Sequence, residues 1–202
     1  MALGYMKRLG MFIARILRHS PETVGVTMDE HGWVNVEDLI YGVRNAGFES
    51  FCLDQLITLV ATDNKERYTL NEEHTLVRAN QGHSIPVDVE LYYLSLNDIE
   101  KVPILYHGTS TRRMQSINLR GILKMGRNYV QLSTDIDTAF NVGNRHNRKH
   151  PGDVAIYVID VKKLFSCGYE VLRSVNNVYL VEHVPPECFK EVIIKDGGNH
   201  NE

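Results

Sequence analysis

The sequence predicts an α+β protein built as two lobes, and three observations lead there. Apolar residues recur at helical spacing through the first sixty positions, a stretch bounded by Pro86 and Pro103 interrupts the pattern, and short β-branched runs dominate beyond it. At 202 residues the chain is long enough for one large domain or for two small lobes, each with a modest core.

In the first lobe, Leu9, Phe12, Ile13, Ile16 and Leu17 lie on one helical face, which predicts a helix from about residue 6. Pro21 disfavours helical geometry at Ser20, so this helix ends near Arg18-His19. Asn35 is placed to cap a second helix, from Val36 to about Ala46, closed by Gly47. Ser50 is placed to cap a third, with Leu53, Leu56, Ile57 and Val60 on one face. After the turn Asp63-Asn64-Lys65, residues 67–70 and 75–78 read as the strands of a hairpin across 71–74. Helices followed by a two-stranded wing point to a winged-helix-like lobe over residues 1–85.

Residues 86–103 are expected to link the lobes. Beyond them strands are expected at 104–106, 129–132, 154–160, 178–181 and 192–194. Short helices interleave them: Thr111 to Arg120, closed by Gly121, and Asp135 to Val142, capped by Thr134. This second lobe, 104–195, is α+β, and residues 196–202 read as a tail.

Composition places the chain among soluble globular proteins, at 43% hydrophobic and 23% charged residues. No apolar run approaches the roughly 18 residues that cross a bilayer, and the first residues lack the pattern of a signal peptide. Cys52, Cys167 and Cys188 are widely spaced, with no CxxC pair, and are expected as free thiols in a reducing compartment, so the cytoplasm is the expected location. A net charge of −3 argues against a non-specific nucleic-acid binder. The halves differ, however. Residues 1–100 carry 8 Lys and Arg against 15 Asp and Glu, whereas residues 101–202 carry 14 against 10. Between 107 and 150, Arg112, Arg113, Arg120, Lys124, Arg127, Arg145, Arg148 and Lys149 face only Asp135 and Asp137. Such a stripe is either a solvated basic face or a confined anion site.

Several residues could carry chemistry. Arg18 and His19 close the first helix, where cations are favoured by the macrodipole and where His is also suited to acid–base work or phosphate binding. Arg67 opens a strand and Arg127 precedes one; taken singly, each reads as an exposed strand or loop charge. His107-Gly108-Thr109-Ser110 follows an apolar strand and precedes a helix, a setting for either a capped βα turn or a phosphate-binding turn. His146 and His150 have i, i+4 spacing, but Asn144, Asn147, Pro151 and Gly152 predict a loop there and a full ligand set is missing, so no metal is expected. No P-loop, dinucleotide or nucleophile-elbow motif occurs. Residues 78–84, Arg-Ala-Asn-Gln-Gly-His-Ser, form an almost wholly polar run. Burying that many polar groups without partners is too costly for a core, so a solvated loop or a binding strap is expected.

In order, Leu17-Arg18-His19-Ser20-Pro21, Gly32-Trp33-Val34, Arg67-Tyr68, Arg78–Ser84 and Tyr106-His107-Gly108-Thr109 resemble the NAD-dependent RNA 2′-phosphotransferase family, which removes the 2′-phosphate left at tRNA splice junctions. Arg127 with Val130 and Leu132-Ser133, Val142-Gly143 with Arg145-His146, Arg173-Ser174 and Val184-Pro185-Pro186 extend the resemblance over nearly the whole chain. It implies a winged-helix-like RNA lobe and an ADP-ribosyltransferase-like NAD lobe. It also implies transfer of an internal RNA 2′-phosphate to NAD in two steps through an RNA-2′-phospho-ADP-ribosyl intermediate. The products would be 2′-OH RNA, ADP-ribose 1″,2″-cyclic phosphate and nicotinamide, with no metal. The resemblance carries catalytic roles onto Arg18, His19, Arg67 and Arg127. NAD contacts would fall on His107, Gly108, Thr109 and Ser110, and on Tyr129, Ser133 and Asp135. RNA contacts would fall on Arg78, Asn80, Gln81 and His83, and on Arg145 and Arg173, with the polar run as a strap facing a cleft between the lobes. Partners implied are 2′-phosphorylated RNA, of tRNA type, and NAD, with a monomeric protein. Two other readings stay open: ADP-ribosylation of terminal RNA or DNA phosphates, and a non-catalytic RNA-binding module. Tyr129 and Gln131 stand where relatives often show histidines, Tyr129 keeping an aromatic face and a hydroxyl and Gln131 keeping a donor. Asn177 stands at a common glycine, which suits a left-handed backbone.

Overall fold

A computed structural model describes residues 2–147 and 152–197. Helices and antiparallel strands are mixed throughout, and the chain divides after Glu90 into two compact units.

The first unit begins with α1 (Ala2–His19), whose apolar stripe puts Leu9, Ile13, Ile16 and Leu17 into the core. Pro21 starts a 3-10 turn, Pro21–Val24, and stops α1 where the sequence predicted. Strand β1 (Val34–Asn35) leads into α2 (Val36–Asn45), with the Asn35 side chain accepting from the N–H groups of Glu37 and Asp38 at 2.9 and 3.1 Å. Helix α3 (Leu53–Ala61) is preceded by Cys52, not capped by Ser50; the Ser50 hydroxyl instead donates to Tyr5 Oη at 3.1 Å. Strands β2 (Tyr68–Leu70) and β3 (Leu76–Ala79) form the expected hairpin, in the register Tyr68↔Ala79, Thr69↔Arg78, Leu70↔Val77. Asn71 fixes its turn by accepting from the N–H groups of Thr75 and Leu76, each at 2.8 Å. β1 joins the far edge of β3, giving the sheet order β1-β3-β2.

The second unit opens within the stretch expected as linker. Residues 91–101 form β4 (Leu91–Tyr93) and α4 (Leu96–Lys101), the latter started by a Ser95–Asp98 capping box. Strand β5 (Ile104–Ser110) is followed by a 3-10 turn, Thr111–Arg113, and by α5 (Met114–Arg120). Next come β6 (Ile122–Leu123), β7 (Val130–Leu132), α6 (Ile136–His146), β8 (Val154–Asp160) and α7 (Val161–Ser166). The unit ends with β9 (Leu172–Ser174), β10 (Tyr179–Val181), β11 (His183–Val184), a 3-10 turn at Pro186–Cys188 and β12 (Phe189–Lys195). Antiparallel pairing gives the orders β12-β8-β5, β4-β9-β10-β7 and β11-β6. A bridge between Tyr106 and Ser133 ties β5 to the end of β7. Asn177 has φ 57°, the left-handed backbone expected at that position.

β8 reads as an unbroken apolar run because both of its faces are covered. Ala155, Tyr157 and Ile159 pack into the main core, while Val154 and Ile156 pack with Ala139 of α6. Helix α6 approaches β5 so closely that only glycine fits at the crossing. A Cβ on Gly108 would lie 1.7 Å from the Ala139 carbonyl oxygen, and one on Gly143 would lie 2.9 Å from the Thr109 nitrogen. Gly108→Ala is therefore expected to destabilise the protein by at least about 3 kcal/mol, the upper end for an overpacked core, since the obstacle is backbone. Urea unfolding checks this; a change below about 1 kcal/mol would contradict the close crossing.

Candidate functional site

The polar run of residues 78–84 is not a solvated loop. Arg78, Asn80, Gln81 and His83 expose 4, 4, 8 and 3% of their surface. The expectation fails because much of the run finds partners inside the protein, Asn80 and Ser84 above all. Asn80 donates its backbone N–H to the Arg67 carbonyl (2.8 Å) and its Nδ2 to the Glu66 carbonyl (2.6 Å), while its Oδ1 accepts from the Thr69 hydroxyl (2.6 Å). Ser84 reaches the end of α1: its N–H donates to the Arg18 carbonyl at 3.0 Å, and its Oγ lies 2.8 Å from His19 Nδ1. One polar segment thus holds the backbone at Arg67 and at Arg18-His19 together.

Around this segment the cations gather. The Arg78 guanidinium lies 4.5 Å over the Trp33 ring and donates through Nη2 to the exposed Glu90 carboxylate at 2.9 Å. Its Nε and Nη1 are buried without an acceptor, and His83 Nε2 is buried without a partner. Burial, then the nearby charges of Arg18, His19 and Arg78, push the His83 pKa down to about 4. Arg67 is held by Asp63, whose carboxylate accepts the Arg67 N–H at 2.7 Å and also Nη1. Arg18 and Arg67 both act on Tyr68, whose burial lifts its pKa to about 12 against their opposing charge. The structure therefore brings Arg18, His19, Arg67, Arg78 and His83 into one electrostatic neighbourhood. Asp63 was read from sequence only as part of a turn; the signal for its role was an acidic residue four positions before an arginine.

In the second unit, His107, Gly108, Thr109 and Ser110 do not form a turn. They continue β5, opposite Tyr157, Ile156, Ala155 and Val154 of β8, so no phosphate-binding turn at a helix start is present there. Gly108 had disguised the strand, because its glycine serves the α6 crossing. The His107 Nδ1 lies 3.1 Å from the Gln131 carbonyl, which fixes the proton on Nδ1 and leaves Nε2 as an acceptor. Burial pushes the His107 pKa down to about 4, with His146 and Arg127 adding to the effect. The Ser110 hydroxyl is buried without a partner. Arg127 donates through Nη1 to Gln131 Oε1, so the Gln131 amide also serves as an acceptor here.

His146 ends α6, correcting the loop expected there; His150, Arg148 and Lys149 lie outside the described residues. Burial and the charges of Arg145, Arg127 and Arg113 lower the His146 pKa. Arg113, Arg127 and Arg145 thus form a second cationic group around His107 and His146, whose lowered pKa values favour their neutral forms. Tyr129 is half-buried just before β7, and Ser133 exchanges 2.8 Å backbone bonds with Tyr106. Asp135, not Thr134, caps α6, accepting from the Thr138 N–H at 2.7 Å. Arg173 stacks 5.1 Å from the Tyr92 ring. Among the described residues, no three His, Cys, Asp or Glu side chains gather, and no helix is long and apolar enough to cross a membrane.

Comparison with known proteins gives a consistent result. The profile of the family described as RNA 2′-phosphotransferase, Tpt1/KptA matches residues 6–183. A protein of Fusobacterium nucleatum named "Probable RNA 2′-phosphotransferase" is 40% identical over 183 residues, covering 91% of this chain and 97% of that protein. Proteins of the same name from Trichormus variabilis and Acaryochloris marina are 39% and 37% identical, covering 89% and 93% of this chain and 93% and 97% of theirs.

His83 and His107 predict an acid-sensitive fold. Their ordinary pKa is 6.5 and both sit near 4 when folded, so the unfolded chain takes up protons that the folded one refuses. Their contribution is intact above about pH 6.5 and lost as pH falls toward 4. The melting temperature should fall across that window and fall less steeply in His83→Gln; a flat profile would contradict the burial of neutral histidines.

Proposed function

The chain belongs to the RNA 2′-phosphotransferase, Tpt1/KptA family and is an enzyme of that class, and from this premise we propose that it transfers an internal 2′-phosphate of RNA, of spliced-tRNA type, to NAD. The observation that carries the proposal is the first unit's cationic group, in which the buried Arg78 Nε and Nη1 lack acceptors and His83 Nε2 lacks a partner, beside Arg18 and His19. Concentrated positive charge with unsatisfied guanidinium N–H groups suits a doubly charged phosphomonoester.

The second unit suits NAD. The neutral His107 offers Nε2 as an acceptor, the Ser110 hydroxyl is unsatisfied, and Arg127 supplies charge suited to a pyrophosphate. Tyr129, Ser133, Thr109 and Asp135 complete the proposed NAD contacts, with Gly108 admitting the close packing that shapes them. The co-substrate supplies an acceptor ribose carbon and, afterwards, a ribose hydroxyl.

In the first step an oxygen of the RNA 2′-phosphate bonds to that carbon as the bond to nicotinamide breaks. In the second, the ribose hydroxyl bonds to phosphorus as the bond to the RNA 2′-oxygen breaks, and the hydroxyl proton ends on that oxygen. RNA with a 2′-OH, ADP-ribose 1″,2″-cyclic phosphate and nicotinamide are released. Arg18 and Arg67 orient the phosphate as nucleophile, and Arg127 stabilises charge that develops during transfer. His19 mediates proton transfer in the second step, its ring oriented by Ser84. Gln81 and Arg145 are assigned to the RNA strand around that phosphate, with Arg173 beside Tyr92, while Asn80, its amide bonded to Glu66 and Thr69, holds the polar segment in place.

The element order of the first unit, with β2 and β3 as a wing and β1 on the same sheet, supports a winged-helix-like reading; the antiparallel sheets of the second support an ADP-ribosyltransferase-like one.

The test is incubation with NAD and a 2′-phosphorylated oligoribonucleotide, with products resolved by mass. The cyclic-phosphate product is expected, and Arg18→Ala, Arg67→Ala or Arg127→Ala should each slow turnover by about 10²–10³-fold, the range for losing one preorganised donor, without loss of folding. An intact 2′-phosphate after incubation with the unaltered enzyme would sink the proposal. A stable ADP-ribose cap on a 5′-phosphorylated strand would redirect it to terminal phosphates.

A further inference from the structure

Arg127 sits on an exposed turn, yet its guanidinium is tied to β7, the edge strand of the β4-β9-β10-β7 sheet. The turn is tight: the Arg127 N–H donates to the Lys124 carbonyl at 3.1 Å, and Met125 within it has φ 56°. A side chain on such a turn has many rotamers, and guanidinium aim is lost with them. Gln131 lies four residues on, in the middle of β7, paired with Leu180 of β10. Its neighbours Val130 and Leu132 are buried in the core, so strand alternation turns the Gln131 side chain to the opposite face. There its Oε1 accepts from Arg127 Nη1, while its carbonyl accepts from His107 Nδ1 at 3.1 Å.

We infer that Gln131 is a positioning residue for phosphate transfer, aiming Arg127 through its side chain and setting the His107 tautomer through its backbone. This rests on the role given to Arg127 above. Two consequences separate it from simple strand stability. Removing the Oε1 acceptor frees Arg127 but leaves the His107 contact, because the carbonyl remains. The loss should also disappear when Arg127 itself is gone, because the side chain acts through that residue.

The experiment is a double-mutant cycle on the full chain with NAD and a 2′-phosphorylated oligoribonucleotide. Gln131→Leu is expected to lower kcat about tenfold to a hundredfold, with KM for either substrate changed less than threefold. In an Arg127→Ala background the same change should alter the rate less than twofold. Gln131→Thr, whose hydroxyl is too short to reach Arg127, should reproduce the kcat loss and serves if the leucine variant folds poorly. Full kcat in a folded Gln131→Leu or Gln131→Thr variant would overturn the inference, as would a loss that adds undiminished to that of Arg127→Ala. A fully active Arg127→Ala would overturn the assignment of Arg127, and this inference with it. The two failures are distinguishable because only the second leaves Arg127 itself dispensable.

Discussion

The polar segment from Asn80 to Ser84 is the constraint on which the first unit's chemistry depends. Asn80 uses its N–H and both ends of its amide to bind the chain at Glu66, Arg67 and Thr69, and Ser84 closes the last turn of α1. Removing such a buried network leaves its partners unsatisfied, which costs more than the bonds themselves contribute. The same segment carries His83 into the interior beside Arg18 and Arg78. By holding Arg18 and Arg78 close to the neutral His83, the segment concentrates positive charge where an anion would be favoured.

The second unit solves a related problem with glycine. Gly108 and Gly143 let α6 lie directly on β5, so His107 and Ser110 are presented from a strand whose backbone is already bonded to β8. Rigid strands orient polar groups more accurately than loops do. Arg127 is the exception, placed on a turn, and Gln131 is the means by which the sheet reaches it. Asp63 does the equivalent for Arg67 in the first unit. In each unit a proposed catalytic arginine has a side-chain acceptor four residues away, so its fork is oriented before any phosphate arrives.

Local features were legible in the sequence because they rest on short-range rules. The end of α1 at Pro21, the Asn35 cap and the hairpin at 71–74 follow from proline sterics, capping chemistry and turn residues. The catalytic candidates could be named only through resemblance, since Arg67 and Arg127 are unremarkable surface charges in isolation. What stayed hidden depends on distant partners. Residues 78–84 look too polar to bury until Glu66, Arg67, Trp33 and the end of α1 are brought to them. Gly108 mimics a turn because the helix that demands it lies some thirty residues later. β4 and α4 are too short, at three and six residues, for periodicity to reveal them.

The central claim is that the cationic group of the first unit recognises a phosphate on the RNA 2′-oxygen. The direct measurement is equilibrium binding, without NAD, of two oligoribonucleotides of one sequence that differ only in an internal 2′-phosphate. The account predicts at least about tenfold tighter binding of the phosphorylated strand, roughly 1.4 kcal/mol, and loss of that preference in Arg18→Ala. Equal affinity for the two strands, or a preference that survives the loss of Arg18, would contradict it.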